Sequence, residues 1–320
     1  MSANLSIVNG KAEMFSGEGI TPWHGMGTVV QGLLSAEEAI TAASLNWAVA
    51  LEDVKDVRGN VIARNKAVTR QDNLKVLSIV GDRYLPIQNV EAFGFFDEVV
   101  GGGKAVYTTA GALDEGRRTW ILAKLNGNMF IDSRPDEAIE RMVLLSNTHD
   151  GTQALMMQQV AVRVVCQNTL SAALAGAKNQ IKIRHTANAK DKVNEAQRIL
   201  KLVEAYYGDL SGLMAELDKQ VMAKDEAETF IKVLIPAQDE NKVPTRTVNI
   251  RTGIFDRFQN GAGNRGNSRY DMMNAITDYV DHGRSTRITG DGNAQESRFE
   301  SAIFGSGAAL KQRGLNLLIA

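Results

Sequence analysis

The 320-residue chain has few of the residues that mark a specialised class: one cysteine, five prolines and 6% aromatic residues. The single Cys166 excludes an internal disulfide and is typical of a reducing compartment. No apolar run approaches the roughly 18 residues of a membrane span, and the first residues lack the pattern of a signal peptide. The sequence therefore predicts a cytoplasmic protein that is not attached to a membrane.

Net charge is also small, at −1, but it is unevenly distributed. Residues 151–201 contain eight lysines and arginines and two acidic residues, which gives this segment a charge of +6. A basic segment in an otherwise near-neutral chain favours a local surface that binds anions. A solvated helix face with surplus lysines would produce the same count, so charge alone leaves both interpretations open.

Apolar residues make up 44% of the chain, which is enough for a substantial core. Strand-like runs follow one another before residue 186, and helical periodicity dominates afterwards. Consecutive strands favour antiparallel pairing over a doubly wound sheet. We predict an α+β fold, with a mainly antiparallel sheet, packed helices and a helical C-terminal region. The predicted parts are an irregular N-terminal arm (1–34), an α+β core domain (35–186) and the helical C-terminal region (187–320).

Short motifs predict where elements begin and turn. Ser35-Ala-Glu-Glu38 has the capping-box pattern of a helix start, and Asn89 is a suitable cap for a second helix. Asp114-Glu-Gly116 predicts a hairpin turn that exposes Arg117 and Arg118 at its tip. The two arginines are therefore candidates for contacts with an anionic ligand.

The run Arg163-Val-Val-Cys-Gln-Asn-Thr-Leu170 is the most informative segment. Arginine is costly to bury unpaired, so Arg163 should either pair with a carboxylate such as Asp150 or face an anion. A helix is predicted to begin at Asn168 or Thr169, with either residue as its cap. Because a helix N-terminus attracts anions, Arg163 and Asn168 could also share an anion site.

The loop Gly261-Ala-Gly-Asn-Arg-Gly266 matches the glycine pattern of dinucleotide-binding folds. That pattern requires a preceding strand, whereas a helix is predicted before Gly261, and no Lys-Ser or Lys-Thr pair completes a phosphate loop. We expect instead a mobile polar loop in which Arg265 can contact a phosphate backbone.

The sequence gives weak support for catalysis or metal binding. Its four histidines and single cysteine lack the short paired spacings of a zinc site, and we expect neither a metal nor a cofactor. Cys166 could be a nucleophile with His149 or His185 as its base. A free cysteine in an apolar run is more typical of an inert core position.

Two aromatic residues beside basic ones are candidates for stacking on nucleic-acid bases. They are Trp23, next to His24, and Tyr84, next to Arg83. Single-stranded nucleic acid binds where rings stack on bases and cations pair with phosphates. Either aromatic residue could equally belong to the core.

The chain resembles the phage/plasmid-like protein family, domain of unknown function 932. The motifs that carry the resemblance are Pro22-Trp-His-Gly-Met-Gly27, Tyr84-Leu-Pro-Ile-Gln-Asn89, His149-Asp-Gly151, Arg163-Val-Val-Cys-Gln-Asn-Thr-Leu170, Ile183-Arg-His185 and Asn274-Ala-Ile-Thr-Asp-Tyr279. They span most of the chain, and the Arg163–Leu170 block is the most specific. The resemblance implies a mobile-element origin and, for a phage protein, the host cytoplasm. It brings no established activity and no catalytic residues.

A second, looser resemblance is one of element order. Tyr84–Asn89, a helix to Val100 and paired strands to Leu125 are similar to the strand–helix–hairpin core of Rad52-like and Redβ/RecT-like single-strand annealing proteins. Proteins of those families bind single-stranded DNA in a basic groove on rings or filaments. By analogy, the resemblance implies a homo-oligomer that binds DNA.

We therefore hypothesise a phage- or plasmid-encoded, non-enzymatic protein that binds single-stranded DNA, or RNA, and promotes strand annealing in recombination or replication. The predicted contact residues are Arg163, Lys178, Lys182, Arg184, Arg117, Arg118, Trp23, Tyr84, Asn168 and Arg265. One alternative is an interaction or assembly protein of a mobile element, such as a host-defence antagonist or a virion-associated factor. The other is a hydrolase or nuclease built on His149, Asp150, Cys166 and His185. The small-residue stretch Ala302–Ala309 could pack between subunits of an oligomer.

Overall fold

The computed structural model describes residues 7–8, 11–17, 28–30, 34–100, 105–153, 155–163, 168–170, 180–183, 189–285 and 301–320. Within these ranges the chain forms antiparallel sheets followed by helices, which confirms the predicted α+β fold with a helical C-terminal region. The domain limits at residues 34 and 186 stay a prediction. Among the helices in these ranges, none combines the length and the apolar character that crossing a membrane requires.

The strands and helices have the following limits. The strands are β1 (Ile7–Val8), β2 (Lys11–Ala12), β3 (Met14–Gly17), β4 (Thr28–Val30), β5 (Val49–Lys55), β6 (Val61–Arg70), β7 (Val76–Gly81), β8 (Ala105–Leu113), β9 (Arg118–Ile131), β10 (Arg134–Thr148), β11 (Met156–Arg163), β12 (Asn168–Leu170) and β13 (Gln180–Lys182). The helices are α1 (Ala36–Ala42), α2 (Asn89–Val100), α3 (Ala189–Lys219), α4 (Lys224–Leu234), α5 (Thr245–Asn260), α6 (Arg269–Asp278) and α7 (Ser306–Ile319).

The larger sheet has the strand order β12-β11-β10-β9-β8-β3-β4, and β13 also pairs with β11. Its pairings are antiparallel except for β3 with β4. The register aligns one row of residues across the sheet: Gly111, Trp120, Ser146, Met156 and Lys182. Residues far apart in sequence therefore meet on one face. Strands β5, β6 and β7 form a separate sheet.

Alternation of side chains along the strands gives the larger sheet two apolar faces. One face packs against α1, α2 and α3, with Ile121 and Val143 among its fully buried residues. The opposite face contributes Trp120 and Leu144 to a second buried cluster, which is completed by Ile303. The C-terminal segment therefore returns to cover the second face of the sheet.

Arg134, at the start of β10, joins the sheet to the helical region. Its fully buried guanidinium pairs with Asp218 of α3 at 2.6 Å and with Asp271 of α6 at 2.7 Å. It also donates to the carbonyl oxygen of Gly263 at 2.9 Å. The 261–266 loop is therefore packed on a buried arginine at Gly263, and a phosphate contact by Arg265 stays a prediction.

Two expectations around residue 168 are wrong. Asn168–Leu170 is strand β12, paired with β11, so no helix begins at Asn168 or Thr169. Strand β11 has eight residues, and β13 pairs with its first residues, Met156–Gln158. Asp150 lies before that end of β11, whereas Arg163 is its last residue. The two residues are therefore more than about 20 Å apart along the strand, which excludes the suggested Arg163–Asp150 pair.

The small-residue stretch Ala302–Ala309 packs partly within its own chain. Ala302 and Ile303 are buried. A Cβ placed on Gly307 would lie 2.7 Å from both the Val280 side chain and the Ser301 carbonyl oxygen. Close packing inside the monomer therefore accounts for the small residues Ala302 and Gly307.

Candidate functional site

A cleft lies between the second face of the larger sheet and the C-terminal segment 303–312. We call it the sheet cleft, and its cavity volume is about 290 Å³. Its lining, as far as the structure describes it, has no carboxylate. The polar and aromatic lining residues are Arg118, Ser146, Gln153, Gln158, Gln180, Gln312 and Phe304. Hydrogen-bonding amides with a cation and no acid suit a polar or anionic ligand.

Strand register explains why these residues meet. Gln158 of β11 lies opposite Gln180 of β13, and Met156 lies opposite Lys182. Because side chains alternate along a strand, Gln180 and Lys182 lie on the same face as Gln158 and Met156, which line the cleft. Lys182 is exposed. It therefore adds a second positive charge beside the cleft.

Arg118 begins β9 and is held by an aromatic contact. Its guanidinium carbon lies 4.6 Å from the centroid of the Phe304 ring, which is cation–π geometry. No carboxylate pairs with Arg118 in the part of the chain that the structure describes, whereas Arg117 pairs with Asp114 at 3.3 Å. Of the two hairpin arginines, Arg118 is therefore the one placed to meet an anion.

The side chains of Glu115 and Arg117 at the hairpin tip are exposed, as the sequence predicted, but the turn itself packs against the protein at Gly116. Gly116 is buried at a φ of +99°, and a Cβ there would lie 2.9 Å from the Trp47 ring and 3.0 Å from Nη1 of Arg70. Arg70 also donates to the carbonyl oxygen of Glu115 at 3.1 Å. The turn is thus clamped onto Trp47 and Arg70, and this clamp fixes the start of β9 where Arg118 stands.

A buried polar cluster surrounds Arg70 beneath this turn. Arg70 pairs with Glu13 at 2.7 Å and with Asp72 at 2.6 Å, and its guanidinium lies 4.0 Å from the Trp47 ring centroid. Our sequence reasoning missed this cluster. Its only local signal is an arginine that ends the apolar run Ala67-Val-Thr-Arg70, because a buried arginine needs acidic partners.

His149 is fully buried beside the Arg70 cluster. Its Nε2 lies 2.9 Å from Oδ1 of Asn89, whose amide nitrogen donates to the carbonyl oxygen of Leu45. Asn89 Oδ1 is therefore the acceptor, and Nε2 carries the proton of the neutral ring. Burial, and secondly the charge of Arg70, lowers the pKa of His149 to about 4. The ring is consequently neutral at pH 7.

The hydrolase hypothesis needs His149 and Asp150 to converge with Cys166 and His185 in a cleft. Cys166 and His185 lie outside the described residues. Asp150 accepts hydrogen bonds from the backbone and the hydroxyl of Thr152, at 2.9 and 2.6 Å. His149 and Asp150 thus have separate structural partners. Within the described ranges, no group of three His, Cys, Asp or Glu side chains could hold a metal ion.

The structure brings together part of the predicted contact set. Arg118 and Lys182 share one face of the sheet. For Arg163 and Asn168 it describes the backbone alone, which pairs between β11 and β12. The remaining basic and aromatic candidates outside the described residues are Trp23, Lys178 and Arg184.

Arg265 and Tyr84 occupy other positions. Arg265 donates to the carbonyl oxygen of Ser133 at 3.2 Å, just beyond the end of the 14-residue strand that Arg118 begins. A strand of that length spans about 40 Å, so Arg265 is not part of the sheet cleft. Tyr84 is half-buried and donates to the carbonyl oxygen of Thr148 at 3.1 Å, and burial raises its pKa. Tyr84 therefore supports the end of β10 that pairs with Arg118.

Together these features define an α+β protein with a polar cleft between an antiparallel sheet and a C-terminal helix. The family model described as Domain of unknown function (DUF932) matches residues 76–303. Because this match covers most of the chain, the protein belongs to that family. The matched span begins with β7, contains Arg118 and Lys182, and ends directly before Phe304. No curated protein and no solved structure matches the chain significantly.

Proposed function

We propose that the protein binds single-stranded nucleic acid along the sheet cleft, with single-stranded DNA as its ligand. The observation that carries this proposal is the placement of Arg118 and Lys182 on one face of the larger sheet, beside a cleft whose described lining is free of carboxylates. Guanidinium and ammonium groups pair with phosphate oxygens and hold a strand without reading its sequence.

The spacing of these two cations suits a chain of phosphates. Arg118 and Lys182 are separated by three strand-to-strand steps and by two positions along a strand. With strands about 4.8 Å apart, their backbones lie about 16 Å from each other. Side chains that stand perpendicular to the sheet keep roughly this separation. Phosphates that lie a few nucleotides apart on one strand can meet both cations, whereas a single phosphate does not fill both positions.

The rest of the cleft suits an unstacked base. Its volume of about 290 Å³ lies near the lower end of ligand pockets. Glutamine amides can donate to and accept from base edges, and Gln180 is an exposed glutamine in the cleft lining. Phe304, with Arg118 over its ring, provides a planar surface against which a base can pack. Bases in a duplex are already stacked and paired, so a single strand is the better fit.

We extend the proposal to strand annealing by a homo-oligomer that is encoded on a phage or plasmid and works in the host cytoplasm. The element order α2, β8, β9 supports it, because a helix followed by a hairpin is similar to part of the strand–helix–hairpin core of Rad52-like and Redβ/RecT-like annealing proteins; Tyr84–Gln88, expected to be the strand of that core, form no strand here. This support is an analogy between the orders of secondary-structure elements along the chain. A sheet face that holds phosphates of one strand is also what annealing requires of each subunit.

The test compares two double variants with equal loss of charge. Arg118→Gln/Lys182→Gln should weaken binding of a labelled single-stranded oligonucleotide about tenfold at low salt, since two charged contacts are lost. Lys55→Gln/Arg58→Gln, at the exposed end of β5 and in the turn that follows it, should leave the affinity unchanged. Fluorescence anisotropy gives both affinities, and RNA of the same sequence shows which nucleic acid is preferred. Equal weakening in the two variants, or no binding by the unmodified protein at low salt, contradicts the proposal.

A further inference from the structure

A second cavity lies on the other side of α7. We call it the arginine pocket; its volume is about 240 Å³, and its described lining has two arginines and no carboxylate. The lining residues that the argument uses are Tyr279, Arg284, Ser306, Ala309 and Arg313. We propose that the strand held in the sheet cleft crosses the first turns of α7 and continues into this pocket, where Arg284 and Arg313 bind its phosphates. The inference rests on the proposed function.

The two cavities adjoin across a low ridge. Ala309 lines both of them. The ridge is the start of α7, Ser306-Gly-Ala-Ala309, together with Gly305, which lines the sheet cleft. These side chains are among the smallest available, so a polynucleotide backbone can cross the helix without a bulky side chain in its way. Larger residues at Ala308 and Ala309 would separate the two cavities.

The chemistry of the arginine pocket matches phosphate. Arg313 donates one N–H to the carbonyl oxygen of Leu234. A guanidinium has five N–H donors in a planar fork, so this bond holds the group in place and leaves donors for two phosphate oxygens. Arg284 lies at the pocket wall and donates to Ser301 Oγ at 3.4 Å. Arg313 therefore presents oriented donors, and Arg284 places a second guanidinium at the same wall.

The surroundings of the pocket are also electropositive. Burial raises the pKa of Tyr279, whereas the positive charges of Arg284, Arg257 and Arg246 oppose this rise. Three guanidinium groups thus act on one hydroxyl at the pocket wall. Two acids of the described residues near this wall have cationic partners: Asp278 pairs with Arg257 at 2.7 Å, and Asp281 pairs with Lys311 at 2.6 Å. This positive potential attracts the part of a polyanion that extends from the sheet cleft.

The experiment uses the full-length protein and two single-stranded oligonucleotides, one of about 6 and one of about 24 nucleotides, which lie on either side of most single-strand site sizes. Arg284→Gln/Arg313→Gln should weaken binding of the long oligonucleotide about tenfold and reduce the slope of log K against log salt by about 1.4, the loss expected for two phosphate contacts. Its affinity for the short oligonucleotide, which the sheet cleft alone accommodates, should change less than about twofold.

Two further variants keep the result interpretable. Arg284→Lys/Arg313→Lys retains both charges and should recover most of the long-oligonucleotide affinity, which a merely unfolded variant would not do. Lys55→Gln/Arg58→Gln controls for net charge. One result would overturn this inference and leave the proposed function standing. In that result, Arg118→Gln/Lys182→Gln weakens binding, but Arg284→Gln/Arg313→Gln has the same affinity as this control for both oligonucleotides. The strand would then not continue into the arginine pocket. If the unmodified protein binds neither oligonucleotide, the proposed function and this inference fail together.

Discussion

Single residues show how this protein uses its charges. Arg70, Arg134 and Lys311 are fully buried, and each has an acidic partner within 2.7 Å. Burying a charged group destabilises a protein strongly unless such a partner compensates the charge. Arg118 and Lys182 differ, because they are solvent-accessible and stand where the described lining of the cleft offers no acid. Buried paired cations therefore hold the fold, and accessible ones are the candidates for binding.

His149 gives a prediction at the same scale. Its pKa is about 4 in the folded protein and about 6.5 in an unfolded chain, so the unfolded chain takes up the proton first. The resulting stability is complete above about pH 6.5 and is lost as the pH falls toward 4, by up to about 3 kcal/mol. His149→Gln retains a donor for Asn89 Oδ1 but does not titrate. Urea denaturation near pH 7 and pH 4.5 should show a smaller acid loss in the variant; equal losses in both proteins would contradict the assignment.

Among the elements, the β8–β9 hairpin matters most for the site, because its turn fixes Arg118. Gly116 has a φ of +99°, and a Cβ there meets Trp47 at 2.9 Å. Gly116→Ala should therefore destabilise the protein by about 1–3 kcal/mol through backbone strain and the clash. Gly94→Ala in α2 is the matched control: a Cβ there meets nothing within 4 Å, and alanine favours the helix. A Gly116→Ala variant with an unchanged urea midpoint would show that the turn is not clamped.

Local signals predicted the elements better than the roles of their residues. The capping box at Ser35 is present, with Glu38 N donating to Ser35 Oγ at 3.3 Å. Helix α2 begins at Asn89 as expected, but the Asn89 side chain bonds to Leu45 and His149 instead of capping the helix. The hairpin was expected to end near Leu125, yet β9 continues to Ile131 through Asn126-Gly-Asn128. Those polar residues resemble a turn in sequence, but Asn126 and Gly127 form an irregularity in the pairing with β10, with Gly127 at a φ of +80°, and the pairing resumes at Asn128.

The candidate site is assembled from distant parts of the chain. Sequence patterns therefore predicted its basic residues, Arg118 and Lys182, but not the other residues that line the sheet cleft. Its strand residues come from β9, β10, β11 and β13, and the segment 303–312 completes it. Strand register brings the four strands together, and no short motif records that register. The Arg134 pairs with α3 and α6 tie the helical region to the sheet and so help return Phe304 to its face. The contact between Phe304 and Arg118, far apart in sequence, left no local signal.

Salt dependence of single-stranded DNA binding by the unmodified protein tests the central claim most directly. Four phosphate contacts, from Arg118, Lys182, Arg284 and Arg313, predict a slope of log K against log salt of about −3, and so an affinity loss of about 50-fold between about 50 and 200 mM salt. Anisotropy titrations of a labelled long oligonucleotide measure this slope. A slope of that order supports a strand held across the sheet cleft and α7. No binding at the lower salt concentration, or binding that does not change with salt, would contradict the account.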